Sequence, residues 1–320
     1  MPVPVTVNHV SIIHSILLGI VQGATEFLPV SSTAHMRVLP ALLHWSDPGT
    51  AFSAVVQLGP IFAIIYYFRT TIGAYFAGMG RSIQQKKLFP EGDKEAMLGW
   101  FVAFGTVPLV IAGLALEHKV DHQYRNLYLV GGALILLGLI LAVAEKIGKR
   151  NRPMTDLKLG ESIIIGISQA FALVPGASRS GCTITSGMFL GLTREDAADF
   201  SFLLSIPAIT LAGLYKLAKV AKAPGVGHEL PSYLIGSAVA GILAYIVIKL
   251  FLDFLKDESH TTWPFIWYRV ALGIALICLA HFHVIHASDI PVQGGTTKAQ
   301  SVQVRAAPSI DAVFQPEKLA

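Results

Sequence analysis

The chain has 320 residues, of which 53% are hydrophobic and only 14% charged, against about 45–50% and about 25% in soluble domains. With a mean hydropathy of +0.60 it cannot clothe a soluble globule of its size in charge, and it is too apolar to be disordered. The net charge of +4 suits the loops of a membrane protein better than a nucleic-acid surface, and two cysteines, Cys182 and Cys278, exclude a disulfide framework and a four-cysteine zinc site.

The first ten residues lack Lys and Arg, which argues against a cleavable signal peptide. Residues 11–44 are apolar but interrupted by Phe27-Leu28-Pro29-Val30-Ser31-Ser32-Thr33. Spans are then expected near 50–69, 97–117 and 127–148, each close to the about 20 residues that cross a hydrocarbon core of about 30 Å. Residues 160–191 are again interrupted, by Val174-Pro175-Gly176-Ala177-Ser178-Arg179-Ser180-Gly181, and further spans follow near 197–218, 231–253 and 264–286. Irregular backbone at membrane depth survives only when buried in protein or lining a wet cavity. The two interrupted stretches are therefore read as re-entrant helix–turn–helix hairpins.

A weak internal repeat supports this. Gly19-Ile20-Val21-Gln22 with Pro29 and Ser32 is echoed by Gly166-Ile167-Ser168-Gln169 with Pro175 and Ser178. Phe52-Ser53 with Pro60 is echoed by Phe200-Ser201 with Pro207, at an offset near 147 residues that allows slips of one. Each unit holds one broken hairpin and three spans, so the second copy enters from the opposite face. The expected fold is an all-α polytopic membrane protein of six transmembrane helices plus two re-entrant hairpins in an inverted-topology repeat. One membrane domain covers 1–286 (repeats about 10–148 and 160–286), and a flexible tail follows over 287–320. Loops 69–96 and 146–158 each hold more Lys and Arg than the loops on the opposing side, which places them in the cytoplasm and both termini outside.

Glu26 lies within the first hairpin, where an ionised carboxylate is expensive without a cation or donor. It is either a structural carboxylate at a helix end or a functional one. Gln22, four residues earlier, shares its helix face, and carboxylate plus amide oxygen suits a hard ion such as Mg²⁺, with Ca²⁺ as the alternative. Ser31, Ser32 and Thr33 read as a helix N-cap or as a nucleophile with His35, three residues after Ser32, as its base. Arg179 opens the second helix beyond Gly176, where free N–H groups and a planar guanidinium suit phosphate, with hydroxyls at Ser178, Ser180 and Thr183. The structural alternative is an arginine that only neutralises Glu26. Taken together, these groups suit phosphoryl transfer, where positioning and charge neutralisation supply most of the catalysis.

The run from Gln22 to His35, Gln22-Gly23-Ala24-Thr25-Glu26-Phe27-Leu28-Pro29-Val30-Ser31-Ser32-Thr33-Ala34-His35, resembles the first signature of the bacterial undecaprenyl-diphosphate phosphatases, the bacitracin-resistance family. The run Pro175-Gly176-Ala177-Ser178-Arg179-Ser180-Gly181-Cys182-Thr183 resembles the second, and the likeness covers roughly 10–286. The resemblance implies a multi-pass enzyme of the bacterial inner membrane, with its site facing the periplasm. It would hydrolyse undecaprenyl diphosphate to the monophosphate carrier lipid of cell-wall synthesis, and so confer bacitracin resistance. It implies Glu26 as the essential acid, Arg179 as the phosphate clamp, Ser32 as nucleophile beside His35, and Ser178 and Thr183 as hydroxyls near the phosphate. Gln22 stands where many members carry Glu, so its part in holding a metal stays open. The implied partners are the lipid substrate and the bilayer, with a homodimer left open and no nucleic acid. The acid phosphatases with a Ser-Arg-x5-His-x3-Asp signature are set aside, because the position six residues after Arg179 is Thr185. From another class, a transporter or flippase of a polyprenyl phosphate lipid would use the same inverted repeat without needing Ser32 and His35.

Overall fold

The computed structural model describes residues 10–122, 126–221 and 226–285; the expected tail, 287–320, lies outside them. Among the described residues every regular element is helical. The first hairpin is α1 (Ile12–Thr25) and α2 (Ser32–Leu42), followed by α3 (Gly49–Val56), α4 (Leu58–Tyr67), α5 (Arg69–Gln84), α6 (Lys94–His122) and α7 (Leu127–Ile147). The second is α8 (Leu159–Ala170) and α9 (Arg179–Phe189), followed by α10 (Arg194–Val220), α11 (Val226–Lys256) and α12 (Trp263–His281).

Five helices are long and apolar enough to cross a membrane, or six when the bent pair Ala51–Tyr67 and Arg69–Gln84 is taken as one span. This bent pair departs from the single straight span expected at 50–69. Pro60 cannot donate to the carbonyl of Val56, and the helix breaks at Gln57 between α3 and α4. The chain then turns by 77° into α5, which occupies most of the stretch read as a loop. The glycines and cations of α5 disguise a face of Tyr75, Gly78 and Ser82 that is buried, where it packs on α6. The next connection is short because Asp93 caps α6, accepting from the backbone N–H of Ala96 at 3.0 Å, while Arg81 grips both carboxylate oxygens at 2.9 and 3.0 Å.

α1 and α8, of 14 and 12 residues, rise only about 21 and 18 Å, too little to cross a hydrocarbon core. Each is held against a long helix of the other repeat. Ser15 donates to the carbonyl of Ser232 on α11, and its counterpart Ser162 donates to that of Phe101 on α6 at 2.6 Å. One turn on, a β-carbon on Gly19 would stand 2.6 Å from the carbonyl oxygen of Gly236, and one on Gly166 would stand 2.0 Å from that of Gly105. Likewise α4 packs on α11 and α10 on α6, while α7 and α12 pack on each other. Such an exchange of partners between repeats is what a pseudo-twofold relation produces. The main apolar core gathers where the hairpins meet, with Phe27 set edge-on to Phe202 at 4.9 Å.

Gly166→Val should therefore force α8 off α6 and lower stability by about 1–3 kcal/mol. Thermal unfolding in detergent reads this directly, and an unchanged midpoint would show that the two backbones are not in contact. The Arg81 guanidinium, and then the Ala96 N–H, hold the Asp93 carboxyl below the usual carboxylate range. Its contribution to stability is then complete above the unfolded value of about 4 and is lost as pH falls through the lower folded value. Hydrogen exchange at the start of α6 should accordingly be flat from pH 7 to 5, after correction for intrinsic rates. In acid it should rise in the native chain but not in Asp93→Asn.

Candidate active site

The two hairpin breaks carry the same unusual backbone. Ser31 caps α2 with φ 73° and ψ 92°, and Ser178 caps α9 with φ 68° and ψ 111°. Left-handed φ at a non-glycine residue is costly and persists only where the surroundings enforce it. Each serine hydroxyl accepts from the N–H three residues on, Ala34 at 3.4 Å and Gly181 at 3.1 Å. The structural counterpart of Ser178 is thus Ser31, one residue earlier than the echo of Ser32 suggested. Ser32 and Arg179 therefore occupy equivalent positions, the first residues of α2 and α9.

Between them lies Glu26, 5% exposed. Its Oε2 accepts from the Gln22 amide at 2.5 Å, from the Ser32 hydroxyl at 2.6 Å and from the Gln57 amide at 3.4 Å. Its Oε1 accepts from Nη2 of Arg179 at 3.2 Å across the hairpins. The Arg179 guanidinium also lies over the Phe27 ring, 5.8 Å from its centre. Its Nη1 is buried and has no hydrogen-bond partner among the described residues. In a bundle this apolar an unpaired guanidinium nitrogen is expensive, and an anionic oxygen would satisfy it.

The structure thus brings Gln22, Glu26, Ser32 and Arg179 into one cluster. His35 stands apart from the Ser32 hydroxyl. Its Nδ1 is 2.7 Å from the carbonyl oxygen of Ser31 and its Nε2 is 2.6 Å from the hydroxyl of Tyr268. The expected Ser32–His35 pair is replaced by Ser32–Glu26, because the imidazole folds back on its own helix start and out to α12. The remaining hydroxyls hold the breaks together. Ser180 donates to the carbonyl of Leu28 at 2.9 Å and stands 3.3 Å from Ser178. Thr183 bonds the Arg179 carbonyl at 2.9 Å and the Ser201 hydroxyl at 2.6 Å. Gly176, at φ 95°, donates to Thr33 at 3.4 Å.

Three participants escaped sequence reasoning. Gln57 sits at the break within the first expected span, and Tyr268 lay inside the last. Arg269, next to Tyr268, is fully buried and donates to the carbonyls of Pro29 (3.3 Å), Gly176 (3.3 Å), Ala177 (2.8 Å) and Leu134 (3.4 Å). One guanidinium thereby ties both breaks to α7. The signal was present, since Arg269 is a lone cation in an apolar run, the same anomaly that singled out Arg179.

Among the described residues no three His, Cys, Asp or Glu side chains converge as a metal site. With the Gln22 amide turned from its N–H contact to Glu26, that amide, the Glu26 carboxylate and the Ser32 hydroxyl would offer an all-oxygen donor set. This set fits a hard ion such as Mg²⁺ that takes the rest of its shell from phosphate and water.

Residues 15–275, which include both hairpin breaks and the buried cluster, match the model of the bacitracin resistance protein BacA family. The chain belongs to that family. It is 47% identical over 269 residues to an undecaprenyl-diphosphatase of Myxococcus xanthus, covering 84% of this chain and 89% of that one. An undecaprenyl-diphosphatase of Chloroherpeton thalassium is 43% identical over 276 residues (84% and 96%), and one of Thermobifida fusca is 40% identical over 299 residues (93% and 98%). The matched region takes in the α12 clamp, so Arg269 stands inside the family's fold together with both signatures.

Arg269→Lys, with three donors for these four buried carbonyls, should leave at least one of them unpaired and cost about 1–3 kcal/mol. The thermal midpoint in detergent should fall by several degrees, and a midpoint equal to the parent's would mean that the carbonyls find other donors.

Proposed function

We propose that this chain removes the terminal phosphate of a polyprenyl diphosphate, undecaprenyl diphosphate in the name its relatives carry, to leave the monophosphate lipid. The observation that supports this best is the unpaired Nη1 of Arg179 beside a serine hydroxyl already hydrogen-bonded to a carboxylate. Nη1 takes an oxygen of the terminal phosphate, and the planar fork keeps Nη2 on Glu26. The N–H groups opening α9 add partial positive charge on the same side.

Glu26, 2.6 Å from Ser32 Oγ, accepts the serine proton as Oγ forms a bond to the terminal phosphorus. The phosphorus–bridging-oxygen bond breaks, and the lipid monophosphate leaves with the electron pair and takes the proton from Glu26, which restores the carboxylate. Water then attacks the phosphoserine, giving one proton to Glu26 as the phosphorus–Oγ bond breaks. Glu26 returns that proton to Oγ, and inorganic phosphate departs. Gln22 and Gln57, donating to Glu26, hold its carboxylate toward the hydroxyl. His35 and Tyr268 act as a pair that fixes the start of α2 against α12. Glu26, with the Gln22 amide turned, would hold a divalent cation, which supplies charge neutralisation to the diphosphate when bound. A lipid carrier would have no use for a serine hydroxyl hydrogen-bonded to a carboxylate, which argues against the transport reading.

The orientation follows from charge. Lys86, Lys87 and Lys94 at one connection and Lys146, Lys149, Arg150, Arg152 and Lys158 at the other face the cytoplasm of a bacterial inner membrane, so the first hairpin enters from the periplasm and the site faces it. The prenyl chain stays in the bilayer while the head group enters between the hairpins.

Phosphate release from a polyprenyl diphosphate by the purified chain with Mg²⁺ is the direct test, and no release would sink the proposal. Arg179→Lys should lose about 100-fold or more in turnover, since a point charge cannot serve Glu26 and phosphate together. Glu26→Gln should lose about 10²–10⁴-fold, whereas His35→Gln should lose far less if the base is Glu26. Rapid quenching should trap phosphate on Ser32; a fully active Ser32→Ala would show that water attacks directly.

A further inference from the structure

The far end of the bundle holds a second polar recess with no part in this chemistry. A pocket of about 340 Å³ is lined by Ile147, Lys149, Asn151, Arg152, Phe189 and Leu190, with the glycines at 148 and 191 completing its wall. It lies where α7 ends and where the turn after α9 meets the segment before α8. Asn151 and Arg152 donate through their backbone N–H groups to the carbonyl of Gly191 at 3.1 and 3.0 Å. Leu134, whose carbonyl receives Arg269, is thirteen residues before Ile147 on α7, so the pocket is about 20 Å along that helix from the hairpin breaks.

The charges around it divide into two groups. Arg150 and Arg194 are bound to buried Glu145 at 3.2 and 3.1 Å. Arg152 is bound to Glu161 at 2.9 and 3.0 Å and to the carbonyl of Leu190 at 2.8 Å. Lys146 and Lys149 have no acidic partner among the described residues, and both are exposed. The apolar wall is exposed as well: Ile147 at 64% and Phe189 at 44%, continuous with Val143 at 49% one turn earlier on α7. A recess with uncompensated cations on a polar floor and an apolar side open to the bilayer matches one class of ligand, a lipid with an anionic head group. A free anion would leave the apolar wall unused, and a neutral lipid would leave the lysines unpaired.

We propose that this pocket binds the head group of an anionic phospholipid, with Lys149 and the Asn151 side chain on the phosphate, Lys146 at the rim, and Ile147 and Phe189 against the acyl chains. Occupied, it would clamp the end of α7 to the turn after α9, and so brace the second hairpin from the end opposite its break. The site is distinct from that of the substrate and stands whether or not the proposed reaction is correct.

Native mass spectrometry of the full chain, released from mild detergent with phosphatidylglycerol or phosphatidylcholine at equal concentration, tests this. The parent chain should retain one phosphatidylglycerol about tenfold in preference to phosphatidylcholine, and Lys146→Ala with Lys149→Ala should bring the ratio close to one. Lys149→Gln, a single change at an exposed side chain, should give an intermediate ratio if the double variant does not fold. Equal retention of the two lipids by the parent, or an unchanged preference in the variants, overturns the proposal. So does a thermal stabilisation by inorganic phosphate equal to that by phosphatidylglycerol, which would make the pocket a site for free anions only.

Discussion

Taking a carboxylate and a guanidinium out of water costs several kcal/mol per ion, and their attraction repays it only when the remaining donors and acceptors are also satisfied. Glu26 meets that condition. Both of its oxygens are engaged, by Arg179 on one side and by Gln22, Ser32 and Gln57 on the other. Arg179 meets it only in part, because Nη1 has no partner among the described residues. The rest of the architecture keeps this pair together. The hairpins are too short to cross the membrane, their helices lie backbone to backbone on the long helices of the opposite repeat, and the ion pair spans the gap between their breaks. The unsatisfied half of the guanidinium is the buried polar group that a ligand's negative charge would satisfy.

The breaks themselves are held from behind. Ser31 and Ser178 adopt left-handed φ, and Arg269 collects the carbonyls of Pro29, Gly176 and Ala177 that the broken helices cannot pair internally. A buried arginine surrounded by carbonyls and a buried arginine facing a carboxylate look identical in the sequence, yet one braces both breaks and the other pairs with Glu26 across them. Because the two caps have the same geometry, the residues that follow them, Ser32 and Arg179, come to equivalent places in the two repeats. A duplicated structural element thus presents a hydroxyl to Glu26 from one copy and a guanidinium from the other. The divergence extends a step further: Gln22 has its counterpart in buried Gln169, but the counterpart of Glu26 is Leu173. Among the described residues one carboxylate, Glu26, therefore pairs across the hairpins, and one guanidinium meets it.

Much of this could be read from the chain alone, because the bilayer is an unforgiving solvent. Apolar runs of about 20 residues have few other uses, and a proline break or a charge inside one has to be explained. That reasoning located both hairpins, Gln22, Glu26, Ser32 and Arg179. It failed where the informative quantity was direction. The spacing of Ser32 and His35 permits contact on one helix, but the imidazole is drawn instead to the Ser31 carbonyl and to Tyr268, which is 233 residues away. The bend after α4 was missed for a related reason. The buried stripe of α5 is made of Tyr75, Gly78 and Ser82, small and polar residues whose burial depends on having α6 beside them.

What the sequence determined by itself was the membrane class and the kinds of group available for chemistry, which follow from local composition and spacing, and the family, which two signature runs resemble. Only the tertiary structure decided which carboxylate serves which hydroxyl, which arginine is structural, and which serines form caps. Hydrogen bonds act over about 3 Å, and side chains hundreds of residues apart reach that range only after the helices have packed.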